Sequence, residues 1–130
     1  MANIAKLYAQ LLGIVLTLVG ILGFVGALAP DSRLLGIFAI DPFHNVIHLL
    51  SGIVGLLAGF AAGSRNARLY AGVFGVVYGL VTVAGFIQGT TVLGLISVNL
   101  ADNVLHLLIA VASLGVFFLS SDTSTAPARA

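Results

Sequence analysis

Four stretches of this chain, at roughly 5–29, 43–63, 68–88 and 101–120, are long and almost free of charge. Each reaches the ~20 residues that a helix needs to cross a hydrocarbon core about 30 Å thick. Composition agrees. Hydrophobic residues make up 60% of the chain and charged residues 7%, against about 25% charged in ordinary globular proteins. There is too little polar material to cover a water-facing surface. The reading is an all-α integral membrane protein: one four-helix domain over 1–121, then a short solvated tail over 122–130. The first stretch resembles a signal peptide, with Lys6 before an apolar run and Ala27-Leu28-Ala29 after it. The run is longer than the ~7–15 residues of a signal core, and Pro30 stands where a cleavage product would begin, so it is read as a retained helix.

An even number of spans puts both termini on one side. That side carries Lys6, Arg65, Arg68 and Arg129, and the other has Arg33 beside Asp31, Asp41 and Asp102. The positive-inside rule then places the termini in the cytoplasm.

The spans repeat. "AKLYAQLLGIVLTLVGILGF" (5–24) aligns with "ARLYAGVFGVVYGLVTVAGF" (67–86), and "LGIFAIDPFHNVIHLL" (35–50) aligns with "LGLISVNLADNVLHLL" (93–108). The chain reads as two copies of one helical hairpin, 5–62 and 67–120. Two spans per copy make the repeats parallel in topology, related by a pseudo-two-fold along the membrane normal.

Small and polar residues mark the faces expected to look inward. They are Gln10, Gly13, Thr17, Gly20 and Phe24 on the first span, and Asn45, His48, Gly52, Gly55 and Gly59 on the second. The third offers Gly72, Gly75, Gly79, Thr82 and Phe86, and the fourth Asn103, His106, Ala110 and Ser113. In lipid, helices associate by close backbone approach and interhelical hydrogen bonds, so these seams predict a four-helix bundle with Leu, Val and Ile facing the tails.

Asp41-Pro42 reads as an N-cap followed by proline in the first helical position. Asn99 takes the same place in the second copy, with Asp102 as its capping partner. Asn45 and Asn103 then lie about one turn inside the outer face, and His48 and His106 nearly two, at ~1.5 Å per residue. The apolar pieces before them, "LLGIFAI" and "VLGLISV", are too short to span. They are expected to fold over the bundle's outer end, as interfacial segments or an edge-paired hairpin, and shield the histidines.

All three histidines lie in the paired phrases. Ionisable groups at such depth are turned inward, paired and often functional. One reading is a clamp, in which Asn45 and His48 hydrogen-bond Asn103 and His106. Another is a ligand site. His44 and His48 are four residues apart, as are Asp102 and His106, so each pair shares a helical face. Together they offer three imidazoles and a carboxylate for zinc or another divalent metal. Alternatively His48 and His106, with Asn45 and Asn103 beside them, bind a haem iron axially or hold the magnesium of chlorophyll-type pigments.

Other chemistries are poorly served. No cysteine means no disulfide and no thiolate or iron–sulfur site, and no glutamate removes the H-E-x-x-H metalloprotease motif. The net charge of +1 gives no sign of a nucleic-acid surface. Mid-bundle polar groups for transport are confined to Thr17, Tyr78, Thr82 and Ser113, and no span contains proline. Ser51 lies three residues from His48, but no nucleophile turn is visible. The chain is not expected to be an enzyme.

The phrases "HN-x-x-H-L-L" and "DN-x-x-H-L-L", each preceded by Leu-Gly-x-x-x-[Ile/Val]-[Asp/Asn], resemble a bacterial membrane family, domain of unknown function 4383. The likeness runs over about 5–118, and its motif positions here are Asn45, His48, Asn103 and His106. The resemblance implies a small four-span protein of bacterial inner (or thylakoid-type) membranes and brings no activity. The leading expectation is an accessory subunit, docking on a larger membrane complex or on itself through Gly55, Gly59 and Gly63. The alternative is a module that binds haem, pigment or a divalent metal.

Overall fold

Three of the four long helices begin at a side-chain cap. Asn3 accepts the Lys6 N–H at 3.1 Å ahead of α1 (Ile4–Leu22). Asp41 accepts the His44 N–H at 2.8 Å ahead of α2 (Pro42–Leu56), with proline opening the helix as its fixed φ favours. Asn99 accepts the Asp102 N–H at 3.0 Å ahead of α4 (Leu100–Leu119), while the Asp102 carboxylate accepts the Asn99 N–H at 2.9 Å, completing a capping box. The helix α3 (Ser64–Gln88) follows Gly63 without a side-chain cap. These features come from a computed structural model, which describes residues 3–121; the tail over 122–130, with Arg129, lies outside the described residues.

All four helices are long and apolar enough to cross a membrane, α2 when it is continued through the π-helical turn Leu57–Ala61. The chain is a multi-pass membrane protein embedded in lipid. Its outward faces carry Leu11, Val15, Leu18, Leu50, Val73, Leu80 and Val111, all exposed. The first helix is shorter than the apolar stretch that encodes it. Gly23 caps it, and two 3-10 turns follow at Gly26–Leu28 and Pro30–Ser32.

Packing is closest within α1–α2 and within α3–α4. Gly13 and Gly20 bring the α1 backbone against that of α2. A methyl group at Gly13 would lie 2.6 Å from the Leu56 nitrogen, and one at Gly20 2.6 Å from the Leu49 nitrogen. In lipid this backbone approach is the main source of helix association. The Gln10 amide donates to the Gly59 carbonyl at 3.0 Å, one of the last-turn acceptors that a helix end leaves without an intrahelical partner.

The expected inward seams of α2 and α4 are buried throughout, from Asn45 to Gly59 and from Asn103 to Ser113. Those of α1 and α3 hold except at one end. Phe24 and Phe86 are each 53% exposed and face lipid. The inward place is taken by the preceding residue, since Asn45 lies against Gly23 and Asn103 against Gly85, where any side chain would collide.

The short apolar pieces before α2 and α4 are hairpins, the second of the two forms expected. The first pairs β1 (Arg33–Leu34) with β2 (Phe38–Ala39), and the second pairs β3 (Thr91–Val92) with β4 (Ile96–Ser97), both antiparallel. Each turns through Leu-Gly at positive φ, 55° and 72° at Leu35-Gly36 and 53° and 68° at Leu93-Gly94. Two consecutive positive φ values make the turn whose twist matches paired strands, and glycine adopts one of them without strain. Leu34, Ile40, Val92 and Val98 are buried beneath these hairpins and close the end of the bundle over the histidines.

Candidate metal site

The hairpins are tied across the bundle rather than to their own helices alone. The Ala39 N–H donates to the Asp102 carboxylate at 2.9 Å, and the Ser97 N–H donates to the Asp41 carboxylate. Asn99 donates from its side-chain amide to the Ile37 carbonyl at 2.7 Å. Each hairpin is therefore held by the start of the other hairpin's helix. Asp102 is buried, and its Oδ2 accepts from both Ala39 and Asn99. Its carboxylate serves these backbone N–H groups, and the cluster of possible ligands among the described residues is His44, His48 and His106 without it. The N–H groups it serves would be left unpaired if it turned away.

His44 is also buried, and its Nδ1 lies 2.9 Å from the Ser97 carbonyl. A carbonyl only accepts, so Nδ1 carries the proton and Nε2 presents a lone pair. His44, His48 and His106 are brought together. Ring centroids are 4.4 Å apart for His44 and His48, 5.7 Å for His44 and His106, and 6.1 Å for His48 and His106. One nitrogen from each lies within 4.8 Å of the others. The three rings line a cavity of about 30 Å³ with Ile47, Ser51, Val77, Tyr78, Val81 and Ile96. Its volume is that of one water or ion.

The hydrogen-bonded clamp is not formed. His48 Nδ1, His106 Nδ1 and both asparagine Oδ1 atoms are buried without a hydrogen-bond partner. Among the described residues no hydrogen bond joins Asn45 or His48 to Asn103 or His106. The asparagine side chains lie instead against the glycine notches, Asn45 at Gly23 and Asn103 at Gly85. Haem and chlorophyll-type pigments do not fit either. On the side where His48 and His106 face each other, the space is taken up by His44, and by Tyr78, whose ring is 5.4 Å from that of His106. A cavity of about 30 Å³ admits no macrocycle.

Tyr78 was visible in the sequence only as one of several mid-bundle polar groups. It is buried and lines the histidine cavity together with Ser51. The Ser97 carbonyl and Ala39 N–H carried no signal, because a backbone group has no sequence signature. The proposed docking glycines are largely spent. Gly55 lies against Tyr70 and Gly13, and Gly59 against Gln10. Of these three, Gly63 alone has open space beside it.

Fold and site together define a four-span membrane bundle with a cluster of buried histidines under its hairpin-covered end. The chain belongs to the family described as Domain of unknown function (DUF4383), whose pattern matches residues 6–119. No curated protein and no solved structure matches it.

Proposed function

We propose that this protein binds one divalent transition-metal ion, of the zinc class, between His44, His48 and His106. The observation that carries the reading is the convergence of three buried imidazole nitrogens within 4.8 Å on a single small cavity. A tetrahedral zinc with Zn–N of about 2.0–2.1 Å spaces its ligand nitrogens about 3.3 Å apart, so a modest closure of the rings completes the set. Two of the imidazoles leave Nδ1 unpartnered, which costs about 1–3 kcal/mol for each buried group. A metal ion offsets that cost. His44 is oriented as metal-bound histidines are, with its other nitrogen donating to a carbonyl.

Three neutral imidazoles do not cancel the ion's charge. Asp41, whose carboxylate accepts from the His44 and Ser97 N–H groups, supplies negative charge one layer out. Tyr78 and Ser51 line the same cavity. In this reading the chain is a binding protein and not an enzyme.

The same reading treats the bundle as two copies of one hairpin about a pseudo-two-fold. Matching N-caps at Asp41 and Asn99 and matching turns at Leu35-Gly36 and Leu93-Gly94 support it. It sits in the bacterial cytoplasmic membrane with its termini inside, on the strength of Lys6, Arg65 and Arg68 at one end against Asp31, Asp41 and Asp102 at the other. The site then lies toward the outer face.

The test is elemental analysis of protein purified in mild detergent and equilibrated with Zn²⁺ or Co²⁺. Near-stoichiometric metal that disappears in His48→Ala and His106→Ala supports the reading. Protein that stays metal-free after loading would refute it, and would leave a buried water as the cavity's occupant.

A further inference from the structure

His48 borders two separate hollows. One is the histidine cavity among α2, α3 and α4. The other is a groove of about 280 Å³ between α1 and α4, walled by Leu12, Val15, Leu16, Leu105 and Ile109, with His48 and Tyr8 as its polar members. The Tyr8 hydroxyl is already engaged, paired with the Ser113 hydroxyl at 2.5 Å. His48 is not, since its Nδ1 has no partner and its side chain is only 5% exposed. We infer that this groove is a binding site, open to the bilayer, for a membrane-dissolved molecule that has an apolar body and one uncharged hydrogen-bonding head of the quinone type, presented to His48.

The chemistry of the walls selects that class. The apolar lining accepts a ring or chain and offers nothing to a charged group. His48 stands six residues into α2, about 9 Å from the helix start at ~1.5 Å per residue. A phosphate or ammonium headgroup drawn to that depth would lose its water without gaining a counter-ion, which costs several kcal/mol. A carbonyl or hydroxyl loses far less, and it gains the hydrogen bond that the imidazole lacks. The volume lies near the lower end for small-molecule sites, and so fits one ring and the first part of a chain. The groove also has a structural reason to exist. Helices α1 and α4 belong to different hairpins and touch sparsely, whereas each packs tightly on its own partner. The inference does not require the metal: an imidazole has two ring nitrogens, so an ion held by one leaves the other for the occupant of the groove.

The experiment uses full-length protein in lipid nanodiscs and a benzoquinone carrying a diazirine-bearing alkyl chain. Photolabelling is expected on Val15, Leu16 and Leu105, displaced by decyl-benzoquinone at concentrations at least tenfold below those at which decylbenzene displaces it. Val15→Trp, which fills the groove from its exposed side, is expected to abolish the labelling while leaving Zn²⁺ binding intact. His48→Gln retains an uncharged donor and is expected to keep part of the preference for the quinone. Equal competition by decylbenzene would show that the groove accepts only chains and would overturn the inference. Labelling spread evenly over the lipid-facing residues would overturn it too. Failure of zinc to bind would leave this result untouched.

Discussion

Ala39 and Asp102 are joined by a hydrogen bond of 2.9 Å from backbone N–H to carboxylate. The bond ties the first hairpin to the start of the last helix, across 63 residues of chain. Because the same oxygen also accepts the Asn99 N–H, one side chain closes a helix cap and anchors a lid over the histidines.

Removing that carboxylate should therefore loosen both. Asp102→Ala is expected to cost about 1–3 kcal/mol, the range for stranding buried donors, measured by thermal unfolding in detergent. Amide exchange at Ala39 and Asn99 should accelerate in the same variant. Asp102→Asn keeps an acceptor and should lose less. An unchanged exchange rate at Ala39 would mean that the lid is held by other bonds.

Metal affinity separates the histidines from Asp102. His44→Ala, His48→Ala and His106→Ala should each abolish stoichiometric Zn²⁺ or Co²⁺ binding, whereas Asp102→Asn, which leaves all three imidazoles in place, should retain it. Tyr78→Phe should weaken binding by about tenfold, the lower bound for groups outside the ligand set. Equal loss in Asp102→Asn would restore the carboxylate to the metal shell.

The glycine notches can be tested by coupling. Gly85→Ala places a methyl group on the Asn103 side chain, and overpacking of this kind costs about 1–3 kcal/mol. Asn103→Ala should relieve most of it, so the double variant should be clearly more stable than the sum of the single losses requires. Gly23→Ala and Asn45→Ala should behave the same way. Additive losses in both pairs would place the asparagines elsewhere.

Acid should weaken the lid through Asp41. Burial alone would raise this carboxyl, but the N–H groups of Ser97 and His44 outweigh it and hold the group below the ordinary carboxylate range. A lowered folded value means that the stabilisation is present above about pH 4, the value of a free aspartate, and fades as pH falls through the folded value. The melting temperature in detergent should drop in that window, and the drop should shrink in Asp41→Asn. An identical acid profile in the two proteins would remove Asp41 as the cause.

Much of this was legible in the residues alone. Membrane residence followed from four uncharged stretches, since a long apolar helix has no other stable solvent. The N-caps at Asp41 and Asn99 were readable because capping is local and depends on a few adjacent positions. The inward seams of α2 and α4 followed from spacing, because helical periodicity is local too. Phe24 and Phe86 were misplaced by one residue at the helix ends, where what matters is a side chain arriving from another helix. The clamp failed for the same reason. Asn45 and Asn103 share their spacing with His48 and His106, yet each is captured by a glycine notch on its neighbouring helix.

What the sequence determined by itself was the set of helices and the caps of α2 and α4, all properties of short segments. Only the tertiary structure decided which of those groups meet. It gathered His44, His48 and His106, turned Asp102 to the Ala39 backbone, and placed Tyr78 at the cavity's edge. Such meetings depend on interhelical distances of a few ångströms, set by glycine contacts and by backbone groups that no residue type announces.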